Sequence, residues 1–301
     1  MPVSRKMILA LLAIVLGAAA ARAGNGKERR FIPHIALSPC SQQGSWNPFA
    51  KGCWETEVIF RNRSQSPAEV SLFWYGPSGA SFPVWYRSST EQTAQELTAE
   101  QEPMVIRLRG QGVASYTFTL PPAQGGFWKD LFDLSPRDQT GWMVVEIEMR
   151  SSDQGFSQGD DLEIFAVYRF KKRGKPTNQA YARTVLPALG FSTYVRRSAG
   201  DLPSNVGFAL ANPNGEEAIV RFVIRDREGK EMKLLNPFPV RIVPHGQLAR
   251  MMDELIPMEA KEIEGTLEMT ASIPIVPIAL QVTGKTEEAV LSTIPLTPSK
   301  P

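Results

Sequence analysis

The stretch VGFALANPNGEEAIVRFVIRDREG, residues 206–229, decides the fold of this chain. Two apolar runs, residues 206–210 and 218–224, flank the segment 211–215, which contains two asparagines, a proline and a glycine. Short apolar runs bounded by such residues are typical of β-strands, because Asn, Pro and Gly each favour a turn conformation. The stretch therefore predicts two strands joined by a tight turn.

The same arrangement of strands and turns occurs in the first half of the chain. Residues 55–61 alternate in hydropathy, residues 62–67 are turn-forming, and residues 70–75 form a second apolar run. Three further pairs of segments correspond in order: 141–149 with 265–270, 162–170 with 275–282, and 184–187 with 293–296. We therefore predict an internal duplication. The first copy is longer because of two polar insertions, residues 88–103 and 151–161.

The composition favours an all-β architecture. The chain contains 24 prolines and 23 glycines, which interrupt helices, and it shows almost no helical periodicity. We predict two tandem immunoglobulin-like β-sandwich domains, residues 24–187 and 188–301, after an N-terminal signal peptide. Residues 91–97 have helical propensity but few apolar side chains, so we expect a solvated loop or one short helix there.

Residues 1–23 have the features of a secretory signal peptide. Arg5 and Lys6 precede the apolar run 7–21, and small alanines end the segment at the positions that signal peptidase requires. The run is too short to span a bilayer comfortably, so an uncleaved membrane anchor is the less favoured alternative. We therefore expect an exported protein that is periplasmic, extracellular or bound at the cell surface.

The charge of the mature chain argues against nucleic acid as a partner. The full chain has 33 basic and 31 acidic residues, a formal net charge of +2. Three of the basic residues, Arg5, Lys6 and Arg22, belong to the predicted signal, so the mature chain has a net charge of −1. Strongly basic surfaces are the electrostatic signature of nucleic-acid binding. We expect the one dense basic run, residues 171–175, to be a solvated turn.

The only two cysteines, Cys40 and Cys53, lie 13 positions apart among turn-forming residues. Export to an oxidising compartment makes a disulfide between them the expected state. Closing a loop of this size would stabilise the fold by about 3 kcal/mol. A zinc site would need four ligands, and the only histidines, His34 and His245, lie in different halves. We therefore predict no metal and no cofactor.

The residues offer little for catalysis. Nucleophilic catalysis needs a base beside the nucleophile. The chain has two histidines, in separate halves, so it has few candidates for that base. We expect carboxylate pairs such as Asp160-Asp161 and Asp253-Glu254 to be solvated. We therefore predict no catalytic residues, and a hydrolase is the least favoured class of function.

The tryptophans are distributed unevenly, since all six lie in the first half of the chain. Two of them form adjacent pairs with tyrosines, Trp74-Tyr75 and Trp85-Tyr86, in predicted strands. Neighbouring strand residues face opposite sides, so one ring of each pair points away from the core. The outward rings are either covered, by the insertion at 88–103 or by the second domain, or they form a platform for a sugar or a peptide strand. These four residues are therefore the candidate binding residues.

The second half resembles the immunoglobulin-like repeats of secreted, mostly uncharacterised bacterial proteins. The segments that carry the resemblance are 206–214, 225–230, 245–250, 253–257, 265–267 and 278–280. The resemblance covers residues 184–296, and the first half only through its likeness to the second. It implies a β-sandwich in an extracytoplasmic setting and no catalytic residues.

These observations favour a non-catalytic binding or structural module that contacts another envelope or secreted protein. The contact would use exposed strand edges or the aromatic face of the first domain. One alternative is a periplasmic assembly chaperone that offers a strand edge to a client, with Arg183, Arg196 and Arg197 as a basic anchor in an interdomain cleft. Another is a carbohydrate-binding module with a glycan on the aromatic face. We expect no nucleic acid, and membrane contact only through an uncleaved signal.

Overall fold

The computed structural model describes most of the chain as strands and turns. The described residues are 28–37, 53–90, 95–98, 103–120, 139–149, 161–172, 175–199, 203–234, 239–256, 262–284 and 290–299. The predicted signal, residues 1–23, and Cys40 lie outside these ranges, so cleavage and the disulfide stay predictions. No helical segment in the described part of the chain has the length and hydropathy needed to cross a bilayer.

The first half forms a β-sandwich whose ladders are antiparallel. Its strands are β1 (Glu28–Leu37), β2 (Cys53–Asn62), β3 (Ala68–Tyr75), β4 (Val84–Ser88), β5 (Gln95–Leu97), β6 (Met104–Leu108), β7 (Val113–Thr119), β8 (Gln139–Met149), β9 (Leu162–Lys172) and β10 (Lys175–Arg183). They form a four-stranded sheet of order β1-β8-β3-β6 and a six-stranded sheet of order β10-β9-β2-β7-β4-β5.

The two sheets of the first half enclose one core because burial alternates along the strands. In β3, Val70, Leu72 and Trp74 are buried, whereas the residues between them are partly exposed. Val58 and Phe60 of β2 meet them from the facing sheet in the same cluster. Because side chains alternate between the two sides of a strand with a period of two residues, one face of each strand packs in the core.

The second half repeats this construction with fewer strands. Its elements are β11 (Ala188–Arg197), β12 (Ser204–Ala211), β13 (Ala218–Asp226), β14 (Val240–Ile242), β15 (Gln247–Met251), the single helical turn α1 (Met252–Leu255), β16 (Ile263–Thr283), β17 (Val290–Ile294) and β18 (Thr297–Pro298). One layer has the order β14-β13-β16-β11-β18, and the other contains β15, β12, β16 and β17.

A single long strand, β16, passes through both layers of the second half. Its first part pairs with β11 and β13, and its second part, from Val276, pairs with β12 and β17. Pro274 and Pro277 lie where the strand leaves one layer for the other. In the first half, β8 and β9 divide these two roles, and the predicted insertion at 151–161 lies between them.

The predicted duplication is visible in the strand order. The sheet β1-β8-β3-β6 corresponds to β11-β16-β13-β14, and the series β10-β9-β2-β7 corresponds to β17-β16-β12-β15. Both copies therefore share one topology. The predicted fold class, an all-β chain of two immunoglobulin-like β-sandwiches, is confirmed.

A buried asparagine holds the same turn in each copy, and in the first copy it is Asn62, the last residue of β2. Its Nδ2 donates to Ser66 O at 2.9 Å and to Arg109 O at 3.1 Å. Its Oδ1 accepts from the Ser64 N–H at 3.1 Å. The side chain thereby joins the β2–β3 turn to the β6–β7 turn.

Asn212, which follows β12, makes the corresponding contacts in the second copy. Its Nδ2 donates to Glu216 O at 2.6 Å and to Val243 O at 3.1 Å, and its Oδ1 accepts from the Asn214 N–H at 3.1 Å. Because the offsets of two and four residues recur, the two asparagines are equivalent down to individual hydrogen bonds. This agreement supports duplication more strongly than the pattern of hydropathy does.

The turns that these asparagines contact also correspond. Gln111 and His245 both have φ of 54°, a left-handed conformation that is uncommon for residues other than glycine. The Gln111 N–H donates to Ser64 O at 2.8 Å, and the His245 N–H donates to Asn214 O at 3.1 Å. The β6–β7 turn and the β14–β15 turn are therefore the same structural element.

One segment of the first sandwich differs from its prediction. Residues 95–97, expected in a solvated loop or short helix, form the strand β5 and pair with β4. Leu97 is buried, whereas Gln95 and Glu96 are exposed. Pairing with β4 and burial of one apolar side chain outweigh the helical propensity of the segment.

Candidate binding surfaces

Trp74 and Tyr75 lie on opposite sides of the four-stranded sheet, as adjacent strand residues do. Trp74 is fully buried in the core, and its Nε1 donates to Phe82 O at 2.6 Å. Tyr75 lies on the outer face, where its ring centroid is 4.9 Å from that of Trp142 and 5.7 Å from that of His245. Trp74 is therefore out of reach of a ligand, and the second half of the chain covers Tyr75.

Trp85 and Tyr86 lie in β4 of the six-stranded sheet. Tyr86 points inward, with ring centroids 6.1 Å from Tyr116 and 6.5 Å from Phe118. Trp85 points to the outer face, and its buried Nε1 has no hydrogen-bond partner within the described ranges. The four candidate residues therefore do not form one platform, because they are divided between two sheets and three environments.

Aromatic side chains on the outer face of the four-stranded sheet hold the second sandwich. Phe31 and Trp142 lie there with ring centroids 6.3 Å apart, and they pack against Ala211 and Val276 of the second half. Trp142 Nε1 donates to His245 O at 2.8 Å. We call this contact, between the outer face and the β14–β15 turn with its neighbours, the domain joint. Trp142, which has no tyrosine beside it in the sequence and so is not one of the four candidate residues, is its central residue.

Gln247 closes the domain joint from the second sandwich. Its Nε2 donates to Pro33 O and to Gly141 O, both at 2.7 Å, and its backbone N–H donates to Pro77 O at 3.2 Å. The side chain is buried, so these bonds satisfy a donor that burial removes from solvent. Two carbonyl oxygens facing Nε2 also fix the orientation of the amide, because Oε1 in that position would be repelled.

His34 lies in the domain joint between Gln247 and Tyr168. Its Nδ1 is 3.2 Å from Gln247 Nε2, its ring centroid is 5.5 Å from that of Tyr168, and its backbone oxygen accepts from the Tyr168 hydroxyl at 3.0 Å. Burial lowers the pKa of His34 to about 4 and raises the pKa of Tyr168. His34 is therefore neutral near pH 7 and belongs to the packing of the joint.

The docking turn of the second copy differs from its equivalent in the first. Gln111 occupies the position of His245, and Val113 occupies the position of Gln247. Val113 is 67% exposed, whereas Gln247 is buried. The β6–β7 turn of the first copy is thus an undocked version of the turn that forms the joint.

The receiving face also differs between the copies. The paired residues Tyr75 and Trp142 of the first copy correspond to Arg225 and Thr266 of the second, which are likewise paired across β13 and β16. Where the first copy has two aromatic side chains, the second copy has a charged side chain and a hydroxyl side chain. The second sandwich therefore lacks the aromatic pair that receives the turn in the first.

The outer face of the second sandwich is charged and solvated. Glu264 accepts hydrogen bonds from Arg227 and from the Tyr194 hydroxyl. These contacts lower the pKa of Glu264 and raise the pKa of Tyr194. Tyr194 is 50% exposed, so this network is a surface feature with little effect on stability.

The three arginines proposed as a basic anchor are not brought together. Arg183 lies on the first sandwich, with its guanidinium 5.5 Å from the centroid of the Phe165 ring. Arg196 and Arg197 are adjacent in β11 and so point to opposite sides of the second sandwich. Arg197 pairs with Asp253 at 3.3 Å. The predicted interdomain anchor of Arg183, Arg196 and Arg197 is therefore not assembled.

Within the described ranges, no group of three or more His, Cys, Asp or Glu residues is placed to hold a metal ion. Cys53 is the first residue of β2, and its predicted partner Cys40 lies outside the described residues. The structure therefore adds no metal site, and the disulfide remains the prediction made from the sequence.

The outermost strand of the four-stranded sheet, β6, presents an open edge. It pairs with β3 on one side, and within the described ranges no strand pairs with its other side. Its three inward side chains are buried, whereas Val105 is 49% exposed. Arg107 forms an ion pair with Glu69 at 3.2 Å on the outer face. The edge is therefore apolar on one side and nearly neutral on the other.

The other sheet edges are short or covered. β5 and β14 have three residues each, β10 lies against β17, and β15 enters the domain joint through Gln247. The Val185 N–H donates to Phe31 O at 3.0 Å and thereby covers part of β1. β18 pairs with β11 at Phe191 and Ser192. β15 is as long as β6, and β1 is longer, but each is contacted on its outer side. In the described part of the chain, β6 is the edge of more than three residues whose outer side has neither a backbone hydrogen bond nor a packed strand.

Comparisons with known proteins add little to this geometry. No family model and no curated protein matches the chain. The chain has 7% identity to the M60 catalytic domain with CBM51-1 and CBM51-2 domains of Clostridium perfringens ZmpB, covering 79% of this chain and 33% of that one, with a TM-score of 0.19. It therefore spans a third of the length of that structure.

Two other solved structures are similar at the same low level. BcpA, the major pilin subunit of Bacillus cereus, has 9% identity over 91% of this chain and 67% of that one, with a TM-score of 0.17. The C-terminal domain of the Streptococcus pyogenes antigen I/II-family protein AspA has 8% identity over 91% and 99%, with a TM-score of 0.17. Such scores carry no argument, so fold and function rest on the geometry of this chain.

Proposed function

We propose that this chain is a non-catalytic, exported binding or structural module that pairs with a further protein chain at the cell envelope by strand addition to the β6 edge. The observation that carries the proposal is the edge itself, along whose five residues no other described segment pairs, and which includes the exposed Val105. Unpaired backbone groups of an edge strand are a ready template for pairing with another chain. Export is supported by the signal-like residues 1–23.

The domain joint supports this choice of surface. Tyr75, Trp142 and Phe31 would be the natural aromatic anchors for a partner, but the second sandwich occupies them. Of the two surfaces considered from the sequence, strand edges and the aromatic face, the edge is the one left open. An assembly chaperone would use the same edge, although the three arginines expected to anchor its client do not share one face, since Arg196 and Arg197 point to opposite sides of β11.

Site-specific photocrosslinking in the native host tests the proposal. A benzophenone amino acid replaces Val105, and a control variant carries it at Thr266, which is also exposed, on the outer face of the second sandwich. We expect a covalent adduct with a protein partner from position 105 and none from position 266. Equal labelling from both positions, or none from position 105, would contradict strand addition at β6.

Trp85 favours glycan binding as a second candidate function. It faces outward from the six-stranded sheet between Thr119 and Glu96, and its buried Nε1 lacks a partner within the described ranges. The indole as a whole is partly exposed, and a flat apolar ring of this kind can stack on a sugar ring.

Affinity electrophoresis in gels containing envelope polysaccharide tests the second candidate. If Trp85 stacks on a glycan, Trp85→Ala, which removes the aromatic surface, should reduce retardation strongly, and Trp85→Phe, which keeps a smaller aromatic ring, should reduce it less. Unchanged retardation of both variants would exclude Trp85 as the glycan contact.

A further inference from the structure

The pattern of β6 makes it complementary to itself. Met104, Ile106 and Leu108 face the core, and Val105 and Arg107 face outward, so the five residues are symmetric about Ile106. Antiparallel pairing of two such strands about a two-fold axis keeps every inward position opposite an inward position. The apolar row of one sheet would then continue into the other.

The outward side chains also fit a two-fold arrangement. Because the axis passes through Ile106, Val105 of each copy lies opposite Arg107 of the other copy. The two Arg107 residues do not oppose each other, and each already has a carboxylate partner in Glu69. The methylene groups of Arg107 can cover the exposed surface of Val105.

β6 has two of the devices by which sheet edges avoid such pairing, a short length and the outward charge of Arg107, although Arg107 is already paired with Glu69. It lacks the remaining ones. It contains no proline, no bulge in its ladder with β3 and no inward-pointing charge. By contrast, β1 contains Pro33 and a register irregularity between Ile32 and Ile35. β6 also lies at the side of its sheet opposite β1, which contacts the second sandwich, so the joint does not obstruct a partner.

From these observations we infer that the partner of the β6 edge is a second copy of this chain, paired antiparallel about Ile106 so that two four-stranded sheets become one sheet of eight strands. The inference rests on the proposed function, because it names the occupant of the same edge. An isologous contact of this kind closes as a dimer and leaves no further β6 edge open.

Charge variants at position 105 test the inference in the purified mature chain. Val105→Arg places like charges opposite each other twice across the axis, and Val105→Glu places an opposite charge beside Arg107 twice. By sedimentation equilibrium, we expect a dimer whose dissociation constant rises about tenfold in Val105→Arg and falls in Val105→Glu. Val113→Arg, at an exposed apolar position of another strand, is the matched control and should leave the constant unchanged.

A covalent test fixes the register. In the double variant Val105→Cys/Arg107→Cys, opposite positions lie close enough for two symmetric disulfides, so oxidation should give a dimer that reducing agent dissociates. Both substituted positions face outward, so we expect the double variant to fold. Its circular dichroism spectrum, compared with that of the wild type, checks this.

The two proposals fail in different ways. A chain that stays monomeric at every concentration, or a dimer that responds equally to Val105→Arg and Val105→Glu, overturns self-pairing at β6. If position 105 still crosslinks to a different protein in the host, strand addition stands and only the second copy is excluded as its partner. If position 105 crosslinks to nothing, the proposed function fails as well.

Discussion

Two buried asparagines illustrate how single side chains define the turns of this molecule. Asn62 and Asn212 each connect a strand–turn–strand unit to a second turn through the carbonyl oxygens and N–H groups of the backbone. An asparagine is suited to this position because one side chain supplies both two donors and an acceptor. Alanine in its place would leave several buried backbone groups without partners.

We expect Asn212→Ala to lower the free energy of unfolding by about 3 kcal/mol, because one buried and two partly buried carbonyl groups lose their donor. Asn62→Ala should have a similar effect in the first sandwich. Urea unfolding followed by circular dichroism measures both. A change below about 0.5 kcal/mol in both variants, the range of ordinary surface substitutions, would show that water replaces these hydrogen bonds.

His34 makes the stability of the molecule depend on pH. Its pKa is lowered from an ordinary value of 6.5 to about 4 in the folded chain, so the unfolded chain binds a proton more readily between these values. The stabilisation by neutral His34 is complete above the unfolded pKa and is lost as pH falls toward 4. The loss amounts to about 3 kcal/mol.

We therefore expect the free energy of unfolding to fall between about pH 7 and about pH 4, and to fall less in His34→Gln. Urea unfolding at the two pH values provides the comparison, and titration of the His34 ring by NMR gives the pKa directly. An identical loss of stability in the wild type and the variant would assign the pH dependence to other groups.

At the scale of elements, alternation of apolar residues was sufficient to predict strands such as β3 and β13, because one face of each is buried. The position of the second sandwich was harder to predict. The consecutive apolar residues Phe208, Ala209, Leu210 and Ala211 were a usable signal, since a strand buried on both faces reads as a continuous apolar run. That signal indicates that both faces of β12 are buried, but it does not identify the surface that covers the second face.

The missed features depend on contacts between distant segments. Residues 95–97 form β5 because β4 lies beside them, and no local pattern encodes that neighbour. β16 is continuous because both layers offer it partners, although Pro274 and Pro277 read as strand breakers. Trp142 binds the second sandwich, but its sequence context resembles that of any core tryptophan.

A glycine at the start of each returning strand marks where two backbones approach most closely. A Cβ at Gly265 would lie 1.9 Å from Arg225 O, and a Cβ at Gly141 would lie 2.5 Å from Tyr75 O. These positions correspond in the duplicated topology. The close approach is therefore an inherited feature of the repeat.

We expect Gly265→Ala to destabilise the second sandwich by about 2 kcal/mol or more, because the added methyl group overlaps backbone rather than a flexible side chain. Gly215→Ala is the matched control, since no atom lies within 4 Å of its added Cβ. That variant should change the free energy of unfolding by less than about 1 kcal/mol. Equal effects in a denaturation series would contradict the close approach.

At the scale of the whole molecule, the domain joint makes one body of two sandwiches. Ala209 and Ile278 of the second half belong to the core cluster of the first half, and Gln247 bonds to the first sandwich through side chain and backbone. We expect the wild type to unfold in one cooperative transition, because separating the sandwiches would expose apolar surface and unsatisfied carbonyl groups.

Gln247→Ala should separate this transition into two or broaden it. Differential scanning calorimetry compares the calorimetric and van't Hoff enthalpies, which should agree in the wild type and diverge in the variant. Gln281→Ala is the matched control, because Gln281 makes similar side-chain hydrogen bonds within the second sandwich alone. If Gln281→Ala uncouples the transitions and Gln247→Ala does not, the assignment of the joint is wrong.

The central claim is that the aromatic face of the first sandwich is used inside the molecule, which leaves the β6 edge for a partner. Hydrogen exchange of the tryptophan indole N–H groups, followed by NMR in the mature chain, tests it most directly. The account predicts that the Trp142 indole, bonded to His245 O at 2.8 Å, exchanges as slowly as the buried Trp74 indole. Fast exchange at Trp142 with Trp74 still protected would mean that the second sandwich does not occupy this face, and that the aromatic residues are free to bind a ligand.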